Sequence, residues 1–90
     1  STALLAQLYA RFGDRARARQ MLASLESAQS KRYTPAYEIA KVHLALGDRA
    51  AALRWLRRAR DERSHSIAFL RVDPQLKELR GDPEFDRLWP

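Results

Sequence analysis

Ninety residues, 46% of them hydrophobic and 31% charged, carry enough apolar material for one small core and exclude a disordered tail. The absence of cysteine removes disulfide frameworks, thiolate metal sites and cysteine nucleophiles. Seventeen Lys and Arg against eleven Asp and Glu leave a net charge of +6, concentrated in residues 1–72, while residues 73–90 are net acidic. No run of 18 apolar residues is present to span a membrane, and the first residues lack the basic start of a signal peptide. A cytoplasmic location is therefore expected. Opening on Ser1 rather than methionine is expected of a processed or excised segment.

The first predicted element is a helix from Leu4 to Phe12, where Leu4, Leu5, Leu8, Tyr9 and Phe12 recur at helical period. Gly13 can close it in the left-handed conformation without steric penalty, and Asp14 suits the N-cap of the next helix. That second helix presents Ala18, Leu22 and Leu25 at i, i+4 and i+7. Thr34-Pro35 then reads as an N-cap followed by proline at the first helical position. Ile39, Ala40, His43, Leu44 and Leu46 mark the third helix, Gly47-Asp48 the next turn, and Ala52, Leu56 and Ala59 the fourth helix. Beyond it, Ile67 and Leu70 suggest a short helix after Ser64. Asp73-Pro74 and Asp82-Pro83 each start a further short one: Gly81 closes the first after Leu76 and Leu79, and Phe85, Leu88 and Trp89 line the second.

Self-comparison organises these elements. A shift of 34 residues superposes Ala6 on Ala40, Gly13-Asp14-Arg15-Ala16 on Gly47-Asp48-Arg49-Ala50, Ala18 on Ala52 and Leu22 on Leu56. Similar types coincide between them: Leu5 with Ile39, Leu8 with Val42, Phe12 with Leu46. Alanines recur where two helices must approach closely. Each unit is thus a helical hairpin, and the two hairpins stack.

A 34-residue helix–turn–helix period with Ala6, Tyr9, Gly13-Asp14, Ala18, Leu22 and Leu25, repeated as Ala40, His43, Gly47-Asp48, Ala52, Leu56 and Ala59, resembles the tetratricopeptide repeat (TPR). Two family positions differ: Thr2 and Ala36 stand where a tryptophan or leucine is usual, and Ser30 and Ser64 where a closing proline is. The resemblance implies an all-α, TPR-like solenoid with repeats over residues 1–33 and 34–64 and capping helices over 65–90, the acidic end covering the last repeat. The tail motifs Trp55-Leu56, Glu62-Arg63-Ser64, Asp73-Pro74, Leu79-Arg80 and Asp82-Pro83 resemble TPR regions at the C-termini of multidomain bacterial signalling proteins. That implies a module from a larger bacterial protein.

Catalytic signals are weak. His43 occupies the position of Tyr9 and reads as a core side chain, and His65 between Ser64 and Ser66 lacks a third group to orient it. The three glycines stand alone at 13, 47 and 81, so no phosphate loop exists, and no convergent metal ligands are visible. No enzyme activity, metal or cofactor is expected.

The architecture offers instead a concave face lined by the first helix of each hairpin. By resemblance, the partner-binding positions are Gln7, Arg11, Tyr37, Glu38, Lys41 and Leu44, with Tyr37 and Lys41 gripping the backbone and an acidic group of a bound peptide. Coverage of an open N-terminal end at Leu4 and Leu5, by further repeats or by self-association, is a second expectation. Six arginines between Arg49 and Arg63 raise nucleic-acid binding as an alternative, opposed by the few aromatics among them. A purely structural element without a peptide ligand is another.

Overall fold

The computed structural model describes residues 2–30, 36–62 and 72–88. Thr34-Pro35, the segment with Ile67 and Leu70, His65 and its flanking serines, Arg63 and Trp89 lie outside the described residues. Every regular element among those described is helical: α1 (Thr2–Arg11), α2 (Arg15–Ser30), α3 (Ala36–Ala45), α4 (Arg49–Asp61), a 3₁₀ helix (Pro74–Leu79) and α5 (Pro83–Asp86).

The turns form where glycine permits a left-handed residue. Gly13 sits at φ 103° and Gly47 at φ 84°, conformations that a Cβ would strain. The two turns share their hydrogen bonds at the 34-residue shift. Asp14 N–H donates to the Tyr9 carbonyl at 2.9 Å and Asp48 N–H to the His43 carbonyl at 3.0 Å, the long backward bond that closes a helix after a left-handed glycine. Each aspartate then caps the helix that follows. Asp14 Oδ1 accepts from Arg17 N at 3.1 Å, and Asp48 Oδ1 from Ala51 N at 3.1 Å. Asp73 and Asp82 cap the 3₁₀ helix and α5 in the same way, through Gln75 N and Glu84 N, both at 2.9 Å.

Packing follows from the short turns: α1 lies on α2, α3 on α4, and α1 also on α3. Two apolar clusters result. One joins Ala3, Ala6 and Ala10 of α1 and Ala18, Leu22 and Leu25 of α2 to Ile39, Val42 and Leu46. The other joins Ala36, Tyr37, Ala40 and Leu44 of α3 and Ala52, Leu56 and Ala59 of α4 to Leu76, Leu79, Phe85 and Leu88 of the C-terminal segment. Trp55 packs against both. Small residues on α1 let α3 approach closely. On α3 the matching face carries Tyr37 and Leu44, which fill the extra space left beside a short 3₁₀ helix.

Helix α1 departs from its sequence pattern. Its buried side is Ala3, Ala6, Gln7 and Ala10, whereas the periodic large residues point outward, with Leu4, Leu5 and Leu8 about half exposed and Phe12 84% exposed. Periodicity locates the helix but does not say which of two apolar faces meets the core.

Candidate functional site

Tyr37 and Lys41 stand one turn apart on α3 and so share a face. Opposite them, Asp73 uses one carboxylate oxygen to cap the 3₁₀ helix and turns the other toward α3. Asp73 Oδ2 accepts from the Tyr37 hydroxyl at 2.7 Å and pairs with Lys41 Nζ at 2.9 Å. The ammonium also lies 4.7 Å from the centre of the Tyr37 ring. The Lys41 and Asp73 side chains retain 11% and 3% of their exposure. Burial alone pushes the Asp73 carboxyl upward, but hydrogen bonds from Tyr37, Lys41 and Gln75 N–H together with the Lys41 charge hold it below the ordinary carboxylate value. The Tyr37 hydroxyl is raised above its ordinary value, first by burial and then by its bond to Asp73.

The six residues expected to face a peptide are placed as follows. Gln7, Tyr37 and Leu44 are buried. Lys41 is spent on Asp73, with Glu38 3.8 Å away. Arg11 is exposed and reaches Glu78 of the 3₁₀ helix at 3.1 Å. Four of them, Arg11, Tyr37, Lys41 and Leu44, meet the chain's own C-terminal segment, which also packs on α4. Arg49 Nη2 donates to the Glu78 carbonyl at 2.9 Å and Arg49 Nη1 pairs with Asp82 at 3.3 Å, while Arg57 pairs with Glu84. A partner reaching Tyr37 would have to displace Leu76, Leu79, Phe85 and Leu88, which are 0–4% exposed. At about 1.5–3 kcal/mol for each fully buried large apolar side chain, that segment is part of the core, not an exchangeable ligand.

Asp73 is the residue of this cluster that sequence reasoning assigned only as a helix cap. It lies 32 positions after Lys41 in the chain, and no local pattern links the two. His43, expected in the core, is partly buried: its Nε2 lies 3.2 Å from Glu26 Oε2, and its ring stacks on Trp55 at 6.5 Å.

Among the described residues, two surfaces stand out as open. Arg54, Trp55 and Arg58 line a cleft of about 270 Å³, with the Arg58 guanidinium 5.1 Å from the indole centre. The other is the outer face of α1, where Leu5, Leu8 and Phe12 follow i, i+3 and i+7 on the side opposite Ala3, Ala6 and Ala10. Among the described residues no cluster of three His, Asp or Glu is placed to hold a metal ion, and no helix is long and apolar enough to cross a membrane. No family model, curated protein or solved structure matches the chain.

Proposed function

We propose that the chain is a non-enzymatic protein-interaction module of tetratricopeptide-like build: two stacked helical hairpins, closed at the C-terminal end by short helices, that dock a helical protein segment on the outer face of α1. The observation that carries this reading is the apolar strip of Leu5, Leu8 and Phe12, 45%, 45% and 84% exposed. Leu5 and Leu8 on α1, with Phe12 just past its end, form an exposed apolar patch of the kind that marks interaction surfaces. The concave face serves the fold, because its residues hold the C-terminal segment.

The arginine-rich helix α4 is a weaker docking surface for nucleic acid. Arg49, Arg57, Arg58 and Arg60 each meet a carboxylate within the chain. The Trp55 ring is engaged by Arg58 and His43 rather than free to stack on a base.

Replacing both Leu8 and Phe12 by glutamate tests the assignment. A docking surface that the fold does not need leaves the circular dichroism spectrum and the urea midpoint of the double variant close to wild type. Its dye-accessible apolar surface and its association with a helical partner are lost. Unfolding of the double variant would make the strip part of the core and end the reading.

A further inference from the structure

The cleft on α4 is built from residues that the repeat does not require. The 34-residue shift that superposes the two hairpins sets Gln20, Met21 and Ser24 against Arg54, Trp55 and Arg58. The first hairpin therefore builds the same helix without an arginine or an indole at these positions. Of the five arginines in α4, Arg54 alone meets no carboxylate among the described residues. Its helical neighbours three and four positions away are Ala50, Ala51, Arg57 and Arg58, so the helix itself offers it no acid. Like charges four apart repel and weaken a helix, and an anion between them removes that repulsion.

The indole beside them is held in place. Trp55 packs against both apolar clusters, and His43 stacks on it with the ring planes 16° apart. Glu26 Oε2 lies in turn 3.2 Å from His43 Nε2. The Arg58 guanidinium sits over the indole at 5.1 Å. Stacking uses the face of a guanidinium and leaves its N–H groups, which lie in its plane, to point outward. Only Nε of Arg58 is engaged, donating to Glu62 Oε2 at 3.3 Å. That carboxylate is also held by Gln29 Nε2, 3.2 and 3.1 Å from its two oxygens. The two terminal nitrogens of Arg58, like the guanidinium of Arg54, have no partner among the described residues. The cleft that these side chains line, about 270 Å³, is smaller than the roughly 300–1,000 Å³ of pockets that enclose a whole small ligand. It suits a single side chain.

We infer that this cleft receives the carboxylate of one glutamate or aspartate in an acidic segment of a partner protein. The carboxylate accepts from the terminal N–H groups of Arg54 and Arg58, and its methylene groups rest against the edge of Trp55. Charge and geometry both favour this occupant. Two guanidinium forks one turn apart match a planar carboxylate, and Glu62 shows that a carboxylate is accommodated at Arg58. A chain of net charge +6 attracts acidic segments from a distance. The open aromatic face that single-stranded nucleic acid stacks on is not offered, since His43 and Arg58 engage the ring. The cleft lies on a different helix from the apolar strip of α1, and neither reading depends on the other.

With Trp89 replaced by phenylalanine, Trp55 is the one indole in the chain and its emission reports on the cleft. The probes are a capped peptide of alternating glutamate and alanine, its glutamine counterpart, inorganic phosphate and oligothymidylate. The glutamate peptide is expected to shift Trp55 emission saturably, and the glutamine peptide to leave it unmoved. Calorimetry on the chain with Trp89 intact repeats the comparison. Arg54→Gln and Arg58→Gln should each weaken binding roughly tenfold, the effect of losing one charge-assisted hydrogen bond. Arg19→Gln, an equal loss of charge at an exposed position of α2, should leave it unchanged. Glu62→Gln should tighten binding by removing the competing carboxylate, whereas Asp61→Asn, whose partner is Arg60, should not. All five positions are exposed, so the helical circular dichroism of each variant should match the parent. The absence of a saturable change, or equal weakening by Arg19→Gln, would overturn the inference. So would tighter binding of phosphate or oligothymidylate than of the glutamate peptide, since the cleft would then be a phosphate site.

Discussion

Replacing Asp73 by alanine removes three interactions made by one buried carboxylate. The cap of the 3₁₀ helix, an Asp73 Oδ1 to Gln75 N bond of 2.9 Å, contributes about 1 kcal/mol. The Tyr37 hydroxyl loses its 2.7 Å acceptor while remaining buried, a penalty of about 1–3 kcal/mol. Lys41, its side chain 11% exposed, loses its closest counter-ion, and breaking a buried pair from one side costs about 3–5 kcal/mol. These contributions share atoms and do not add. Glu38 at 3.8 Å also retains part of the attraction for Lys41, so the expected loss is about 3 kcal/mol. A domain of this size has roughly 5–13 kcal/mol in total, and the melting temperature should fall by about 12–24 °C.

Urea unfolding followed by circular dichroism measures the loss, and a double-mutant cycle with Lys41→Met isolates the pair. Methionine removes the charge while keeping much of the side-chain volume, so the double variant should be more stable than additivity predicts, by about 1–3 kcal/mol. Asp73→Asn, which keeps the cap, should lie between wild type and Asp73→Ala. A loss below about 1 kcal/mol for Asp73→Ala, or strict additivity with Lys41→Met, would refute the role assigned to the carboxylate.

Stability should fall at both ends of the pH scale. The folded pKa of Asp73 is depressed below 3.8, so its contribution is complete well above that value and is lost as pH drops through and below it. The folded pKa of Tyr37 is raised above 10.0, so its contribution is complete below that value and is lost as pH climbs past it. Urea midpoints across pH should show the acid limb flattened in Asp73→Asn and the alkaline limb flattened in Tyr37→Phe; unchanged limbs would contradict the assignment. Gly47→Ala should lower stability by about 1–2 kcal/mol in the same assay. A Cβ at Gly47 meets nothing within 4 Å, so the penalty is that of the φ of +84° alone, and a neutral result would deny the left-handed turn. Phe85→Ala should remove about 3–5 kcal/mol in one cooperative transition; early detachment of residues 73–88 with the rest unaffected would show the C-terminal segment to be a separable ligand.

Much of the local structure was legible in the sequence. Gly13-Asp14 and Gly47-Asp48 determine two helix ends and two helix starts through the backbone freedom of glycine and the hydrogen-bonding reach of aspartate, both properties of neighbouring residues. Asp73-Pro74 and Asp82-Pro83 did the same for the short C-terminal helices. The 34-residue shift also superposes Arg15 on Arg49, and the structure gives both an arginine-to-carbonyl bond, to Leu46 and Glu78 respectively. The recurring alanines at 6, 18, 40, 52 and 59, read as points of close helix approach, are all fully buried; tertiary structure decided that the large residues of α1 do not join them. Leu5, Leu8 and Phe12 are better hydrophobes than Ala3, Ala6 and Ala10, yet the alanines face inward because α3 must come close and only small side chains allow it. Tyr37 and Lys41 read as an open grip for an acidic group. The acidic group they hold is Asp73, brought from 32 residues away by the burial of Leu76, Leu79 and Phe85. Caps and turns depend on residues a few positions apart and are written locally. The partner of a face depends on how distant segments share one core, which no local pattern encodes.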